Sequence, residues 1–402
     1  MSDSATNSPS PPTPPTPLTP IVLVTFLASL GTGVLWNGLS FIAESEYAYN
    51  RQATFTLSLA QGLAYVIAAF LAGRILRALE SRLSPRTVLA LVFGVQAIVA
   101  PLAMLIHTEW TLWTVALLIS ATSALQWPVI ESYLTAGRVG SAMRSALGWW
   151  NVVWMSAVAM ALVGTGPVIA AGYAMWAIAA MAPIGILCAA ILLAFRREPG
   201  AHHVDEAQPV PSGYAAQLHA ARILLPVSYV VVAAMSPLMP FITERITPGM
   251  KTLVAATWLI ARLAAAAALW RTHGWHGKWM TLLVAGLLVT CGFAVAVLAP
   301  STPLLVAGLA AFGVGQGIIY YAAIYYAMAV GHADVDAAGT HEGLIGVGYA
   351  IGPAIGLITT LAASDDLARN KLFVIVIWLV IALAAWPAIR PWYRERRRVI
   401  AA

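Results

Sequence analysis

The stretch RREPGAHHVDEAQPVPSGYAAQLHAA, residues 196–221, is the longest polar interruption inside an otherwise oily chain. Six apolar segments lie on each side of it. They fall at approximately 21–43, 53–73, 87–107, 111–133, 146–170 and 172–195, then 222–245, 252–271, 277–299, 303–330, 340–363 and 369–389. A helix needs about 20 apolar residues to cross the hydrocarbon of a bilayer, and each segment reaches that length. Lipid offers the backbone no hydrogen-bond partner, so each segment must satisfy itself as a helix. A barrel strand would show about 10 residues of alternating polarity instead. Composition agrees: of 402 residues, 60% are hydrophobic and 9% charged, with a mean hydropathy of +0.81. A soluble chain carries roughly a quarter charged residues. The expected class is therefore an all-α polytopic membrane protein with twelve spans.

The basic residues orient these spans. With the N-terminus in the cytoplasm, sixteen Lys and Arg fall inside, five fall outside, and Arg262 lies within a span. The reverse topology inverts that ratio, so both termini are expected in the cytoplasm, with the chain in the cell (inner) membrane. The net charge of +6 then belongs to cytoplasmic loops and to the terminal RPWYRERRR, a juxtamembrane anchor for anionic lipid. It gives no support to nucleic-acid binding. The first twenty residues hold seven prolines and no basic residue, which reads as a disordered tail rather than a secretory signal. The expected division is a tail over 1–20, a six-helix bundle over 21–195, a cytoplasmic linker over 196–221, a second six-helix bundle over 222–390 and a basic tail over 391–402.

Two six-span halves joined by a cytoplasmic linker resemble the major facilitator superfamily. The loop GRILRALESRLSPR between spans 2 and 3 resembles that family's loop signature at Gly73, Arg82 and Arg86, but the position of its Asp holds Arg77. The family's gate latch is thus altered, and the chain reads as a divergent member with a degenerate signature. Span 11 opens GTHEGLIG, placing His341 and Glu342 in or near its first turn, where the helix dipole favours a carboxylate. Glu342 is expected either to pair with Arg77 across the inner gate or to cap its own helix. The Gly-Pro pattern GVGYAIGPAIG resembles the family's antiporter signature, displaced from span 5 to span 11. It reads as a packing or hinge element. Span 4 lacks the arginine that the family associates with proton coupling.

Polar side chains at membrane depth mark functional candidates. Arg262 sits near the middle of span 8, where an arginine costs roughly 2.5–3.5 kcal/mol to insert. It is expected either to contact a substrate carboxylate or phosphate or to be a structural arginine held by carbonyls, glutamine or tyrosine, with Trp258 one turn away as a stacking partner. Glu131, near the cytoplasmic end of span 4, has Arg138 and Arg144 close in sequence. A local interfacial pair competes there with a proton-carrying role. Asn37, Gln61, Gln126 and Asn151 in the first half, with Trp36, Trp150 and Trp154 among them, suit either a wet cavity or helix–helix hydrogen bonds.

Span 10 carries GQGIIYYAAIYYAM, residues 315–328. At about 100° per residue, Gln316, Tyr320, Tyr321 and Tyr325 form one arc with Gly313 and Gly317, and Tyr326 lies off it. The resemblance implies that spans 1, 4, 7 and 10 line the central path. Tyr320 and Tyr321 are then expected in a cavity, and Tyr325 and Tyr326 in an interfacial belt. Pro226, Pro237 and Pro240 are expected to bend span 7.

No phosphate-binding loop, metal-ligand spacing or nucleophile triad appears, so an enzyme, a cofactor and a metal are not expected. The expected function is a secondary active transporter moving a small organic solute, anionic or amphipathic, by alternating access without ATP. Coupling to a proton or cation stays open, and a monomer is expected. The rival is a non-transporting receptor or assembly protein on the same scaffold. Arg262, Tyr320, Tyr321, Gln316, Asn37, Trp154, Asn151 and Gln126 are the substrate-binding candidates. Arg77, Glu342, His341, Glu131 and Arg144 are the gate candidates.

Overall fold

A computed structural model describes residues 14–138, 140–200, 213–330 and 335–401, with side chains described for all of these except 328–329, 335–341 and 394–401. Every described element is a helix. Twelve of the helical segments are long and apolar enough to cross a membrane: α1 Leu18–Tyr47, α2 Arg51–Leu79, α3 Pro85–Leu105, α4 Glu109–Thr135, α5 Gly140–Ala170, α6 Ala174–Ala194, α7 Tyr214–Ile242, α8 Pro248–Arg271, α9 Trp279–Val297, α10 Thr302–Ala327, α11 Glu342–Ala362 and α12 Asp366–Tyr393. The protein is an integral membrane protein. An even number of crossings puts both chain ends on one face, here termed the basic face. The 80–84 and 272–278 loops share it.

The turns follow their local chemistry. Asn50 caps α2 by accepting the Ala53 N–H at 2.9 Å, Ser84 caps α3 ahead of Pro85, and Thr108 caps α4. Such caps satisfy amide groups that a helix start leaves open. On the basic face the Arg138 guanidinium bonds the carbonyls of Thr16, Tyr133 and Leu134, tying the entry of α1 to the end of α4. Burial lowers the Arg138 pKa from its ordinary value.

Two spans that meet at the cavity are broken, α1 past its middle and α7 in its last third. α1 contains a π-turn over Val34–Gly38, and α7 passes through a 3-10 turn over Ser236–Leu238, where Pro237 removes a donor. α8 is interrupted at Ala256. Glycine permits close helix approach at several crossings, two of them beside the central cavity. A Cβ at Gly62 of α2 would overlap the Tyr349 carbonyl of α11, and Cβ atoms at Gly313 and Gly317 of α10 would collide with the Trp258 and Arg262 carbonyls of α8. The α2–α11 and α5–α8 contacts join the first six spans to the second six.

Two boundaries differ from expectation. The segment 214–221 is not linker but the first two turns of α7, where Gln217 and Leu218 are buried. The last helix continues through Ala401 instead of ending near 389. Arg and Glu there are good helix formers, and Arg near a helix C-terminus complements the dipole. The proline-rich residues 1–13 lie outside the described residues.

Candidate functional site

Eight helices, α1, α2, α4, α5, α7, α8, α10 and α11, surround a central cavity of about 110 Å³. The π-turn of α1 presents Trp36 and Asn37 to it, and the break in α7 presents Ser236 and Pro237. The two breaks touch: Ser236 Oγ donates to the Trp36 carbonyl at 2.7 Å, and Ser40 Oγ donates to the Ser236 carbonyl at 3.2 Å. A π-turn and a proline each leave a backbone carbonyl without its usual helical partner. The serine at 236 answers one of them from the other half of the chain.

Arg262 of α8 is 3% exposed and faces this cavity. Among the described residues, no carboxylate pairs with it. Its Nη2 donates to the Tyr229 hydroxyl at 2.9 Å. Its guanidinium carbon lies 4.5 Å from the Trp154 ring centre, 4.7 Å from Tyr320 and 5.7 Å from Tyr229. A cation desolvated among aromatic faces gains about 2 kcal/mol or more from their quadrupoles. The Nε has no hydrogen-bond partner. Across the cavity Glu342 of α11 is also buried and accepts a hydrogen bond from the Tyr65 hydroxyl of α2. Trp36 lies flat on Tyr349, ring centres 4.1 Å apart, and Tyr65 meets both rings edge-on.

Trp154 and Tyr320 meet edge-on at 5.2 Å, one from each half of the chain. On the basic-face side of that layer lies a second hollow of about 460 Å³, lined by Arg144, Asn151, Trp270, His273, Tyr321 and Tyr325 among others. Asn151 Oδ1 accepts from Trp154 Nε1 at 3.0 Å, so the amide of one hollow holds the indole that bounds the other. Tyr325 stacks on His276, ring centres 4.3 Å apart, with its hydroxyl 3.1 Å from Nδ1. Burial, and then the neighbouring His273, lower the His276 pKa from its usual value.

A cavity at the middle of twelve crossings, walled by helices from both halves, is a solute-carrier geometry. Residues 21–357 match the family profile described as Major Facilitator Superfamily. The chain belongs to the major facilitator superfamily. No curated protein matches it in sequence. Among solved structures it is similar to the nucleoside transporter NupG, at 13% identity and a TM-score of 0.69 over 93% of this chain and 99% of that one. It is similar to a protein from a study of proton dependent oligopeptide transporters, at 12% identity and 0.68 over 95% and 98%. It also resembles a bacterial homolog of the human lysosomal transporter Spinster in an inward-facing, unoccupied conformation, at 12% identity and 0.65 over 94% and 97%. At these identities the likeness is one of fold.

The superfamily resemblance implied a path lined by spans 1, 4, 7 and 10; all four contribute, joined by 2, 5, 8 and 11. Of the expected binding residues, Arg262, Tyr320, Asn37 and Trp154 line the central cavity. Tyr321 and Asn151 line the basic-face hollow instead. Gln316 is fully buried inside the packing of α10 and does not line either hollow. Gln126 is likewise buried and accepts from Gln96 Nε2 at 3.2 Å, a helix–helix hydrogen bond between α3 and α4. Trp258 packs on Phe312; the arginine stack falls to Trp154 and Tyr320 instead, because α8 turns Arg262 toward α5 and α10. Of the other tyrosines, Tyr325 reaches the basic-face hollow, while Tyr326 is buried and accepts the Gly277 N–H at 2.9 Å.

Among the gate candidates, Arg77 is exposed and makes no ion pair with Glu342, whose carboxylate is turned inward to Tyr65. The helix containing Glu342 starts at Val335, so the residue sits two turns inside it, too deep to cap it. Glu131 makes no ion pair with Arg138 or Arg144: Arg138 is spent on backbone carbonyls and Arg144 faces the basic-face hollow. The side chain of His341 lies outside the described residues. Sequence reasoning missed Tyr65, Tyr229 and Tyr349. Each is a solitary mid-span phenol, the same signal of cost at depth that marked Tyr320.

Proposed function

We propose that this superfamily member is a secondary active transporter that moves a small organic solute by alternating access, without ATP. The observation that carries the reading is Arg262, buried, paired with no carboxylate among the described residues, and facing a cavity walled by both halves. The cost of placing it there is justified by a solute that reaches it. Arg262 binds the acidic group of the solute. Trp154, Tyr320 and Asn37 shape the pocket around it. The basic face is the cytoplasmic one, by the excess of Lys and Arg on it, and the membrane is the cell's inner membrane.

The opposite face is closed by contacts between halves: Ser40 to Ser236, Lys251 to Glu44 at 3.4 Å, and Arg51 to Asn370 at 2.7 Å. Opening toward the cytoplasm then requires the Trp154–Tyr320 layer to part together with the other contacts between halves on that side, Tyr65 with Glu342 and Trp149 with Trp270. Coupling, where present, runs through Glu131, which lies within electrostatic reach of Glu342 across α4 and α11. A Glu131→Gln variant is expected to keep solute exchange and lose its acceleration by a pH gradient.

The test is a thermal-shift screen of the purified protein against a metabolite panel, wild type beside Arg262→Ala, followed by uptake of any hit into proteoliposomes. The reading expects a stabilising solute whose effect disappears in Arg262→Ala and whose uptake exceeds that of empty liposomes. A solute that binds through Arg262 and is not moved would support the receptor alternative.

A further inference from the structure

Among the described residues, two charged side chains line the central cavity: Arg262 and Glu342. They are 3% and 8% exposed and make no ion pair with each other. Each is held by a phenol rather than by an opposite charge, Arg262 by Tyr229 and Glu342 by Tyr65. Tyr229 and Tyr349, ring centres 5.6 Å apart, stand between the two poles: Tyr229 carries the Arg262 bond, and Tyr349 packs on the Tyr65 that carries the Glu342 bond. The cavity thus has a positive pole, a negative pole and a wall of aromatic faces joining them.

Burying a charge away from water is costly unless an opposite charge or a full set of hydrogen bonds meets it. A solute with a single negative charge would answer Arg262 and leave Glu342 unanswered. A cation would do the reverse, and a neutral solute would answer neither. Resting on the reading of this cavity as the solute site, we infer that it takes a zwitterion with a carboxylate and an ammonium group at opposite ends of a compact, flat or linear body. The carboxylate meets Arg262, whose unpartnered Nε and planar fork suit it. The ammonium meets Glu342 beside the Tyr65 hydroxyl. The body lies against the Trp36–Tyr349 stack, where apolar and planar groups pack on ring faces. Two intervening rings set the poles further apart than the two charges of an α-amino acid, so an ω-amino acid is the better match.

Equilibrium binding to the purified full-length protein decides the matter. The probes are β-alanine, γ-aminobutyrate, aminovalerate, aminohexanoate and aminomethylbenzoate, with alanine, hexanoate and hexylamine as comparisons. At least one long zwitterion is expected to bind about tenfold tighter, or more, than alanine, hexanoate or hexylamine, as one added ionic contact allows. Glu342→Gln should erase the preference over hexanoate, and Arg262→Gln the preference over hexylamine. Tyr65→Phe, which keeps the ring and the fold, should weaken the zwitterion while leaving hexanoate unchanged. The inference is overturned if hexanoate binds as tightly as aminohexanoate, if Glu342→Gln leaves the preference intact, or if no zwitterion of the series binds. Because binding is read in detergent and transport in liposomes, the two readings fail separately. A zwitterion that binds and is not carried defeats transport alone. A solute carried equally well by Glu342→Gln defeats this inference alone.

Discussion

Arg262 is held by the faces of Trp154 and Tyr320 and by one phenol, and that arrangement depends on a flat cation. Lysine has a compact, strongly hydrated charge that cannot lie on two rings at once. Arg262→Lys is therefore expected to weaken solute binding about tenfold or more even though the charge is kept. Titration calorimetry on both proteins checks this, and equal affinities would remove the stacked geometry from the account. At the basic face, the half-buried His276 stacks on Tyr325 and is held below its ordinary pKa. A histidine whose folded pKa is depressed contributes stability that is full above the unfolded value, about 6.5, and is lost as pH falls toward the lowered folded value. Melting curves of wild type and His276→Gln should therefore run parallel above neutral pH, with the wild type alone losing ground below about 6.5. Much of this residue-level picture was readable: a mid-span arginine and mid-span tyrosines carry their cost on their face. Glu342 was not. Its partner Tyr65 is 277 positions away, a pairing no local pattern carries, and its place two turns inside the helix emerges only with the full helix.

The breaks in α1 and α7 carry the contact that closes the face opposite the basic one. Ser236→Ala would leave the Trp36 carbonyl of the π-turn without its partner, at a cost of about 1 kcal/mol. The expected outcome is a lower melting temperature and greater alkylation, from the opposite face, of a cysteine introduced by Ser40→Cys. Unchanged labelling would show that the seal lies elsewhere. Gly62 sets a stricter limit, since any side chain there meets the Tyr349 backbone. Gly62→Val should separate α2 from α11 and cost several degrees of melting temperature, measured by fluorescence-detected size exclusion. Pro237 and Pro240 announced the break in α7, while the helix runs unbroken through Pro226. The π-turn of α1 did not announce itself, because VLWNG contains no residue that forbids an ordinary helix. The amides divided: Asn37 and Gln61 reach the cavity, while Gln96 Nε2 donates to Gln126 Oε1 between helices.

At the scale of the molecule, span length and apolarity gave away the twelve crossings, and the polar segment after Arg196 gave away their division. The sequence could not say which face would be sealed. That depends on Lys251 meeting Glu44 and Arg51 meeting Asn370, pairs 207 and 319 positions apart. If the halves rock about the central cavity, fixing the seal must stop transport without emptying the cavity. The direct measurement is exchange of labelled solute across proteoliposomes by a protein carrying Ser40→Cys and Ser236→Cys, with Cys188 and Cys291 replaced by serine. The account predicts that exchange stops when the pair is oxidised and returns on reduction. Exchange that continues at full rate with the cross-link closed would contradict it.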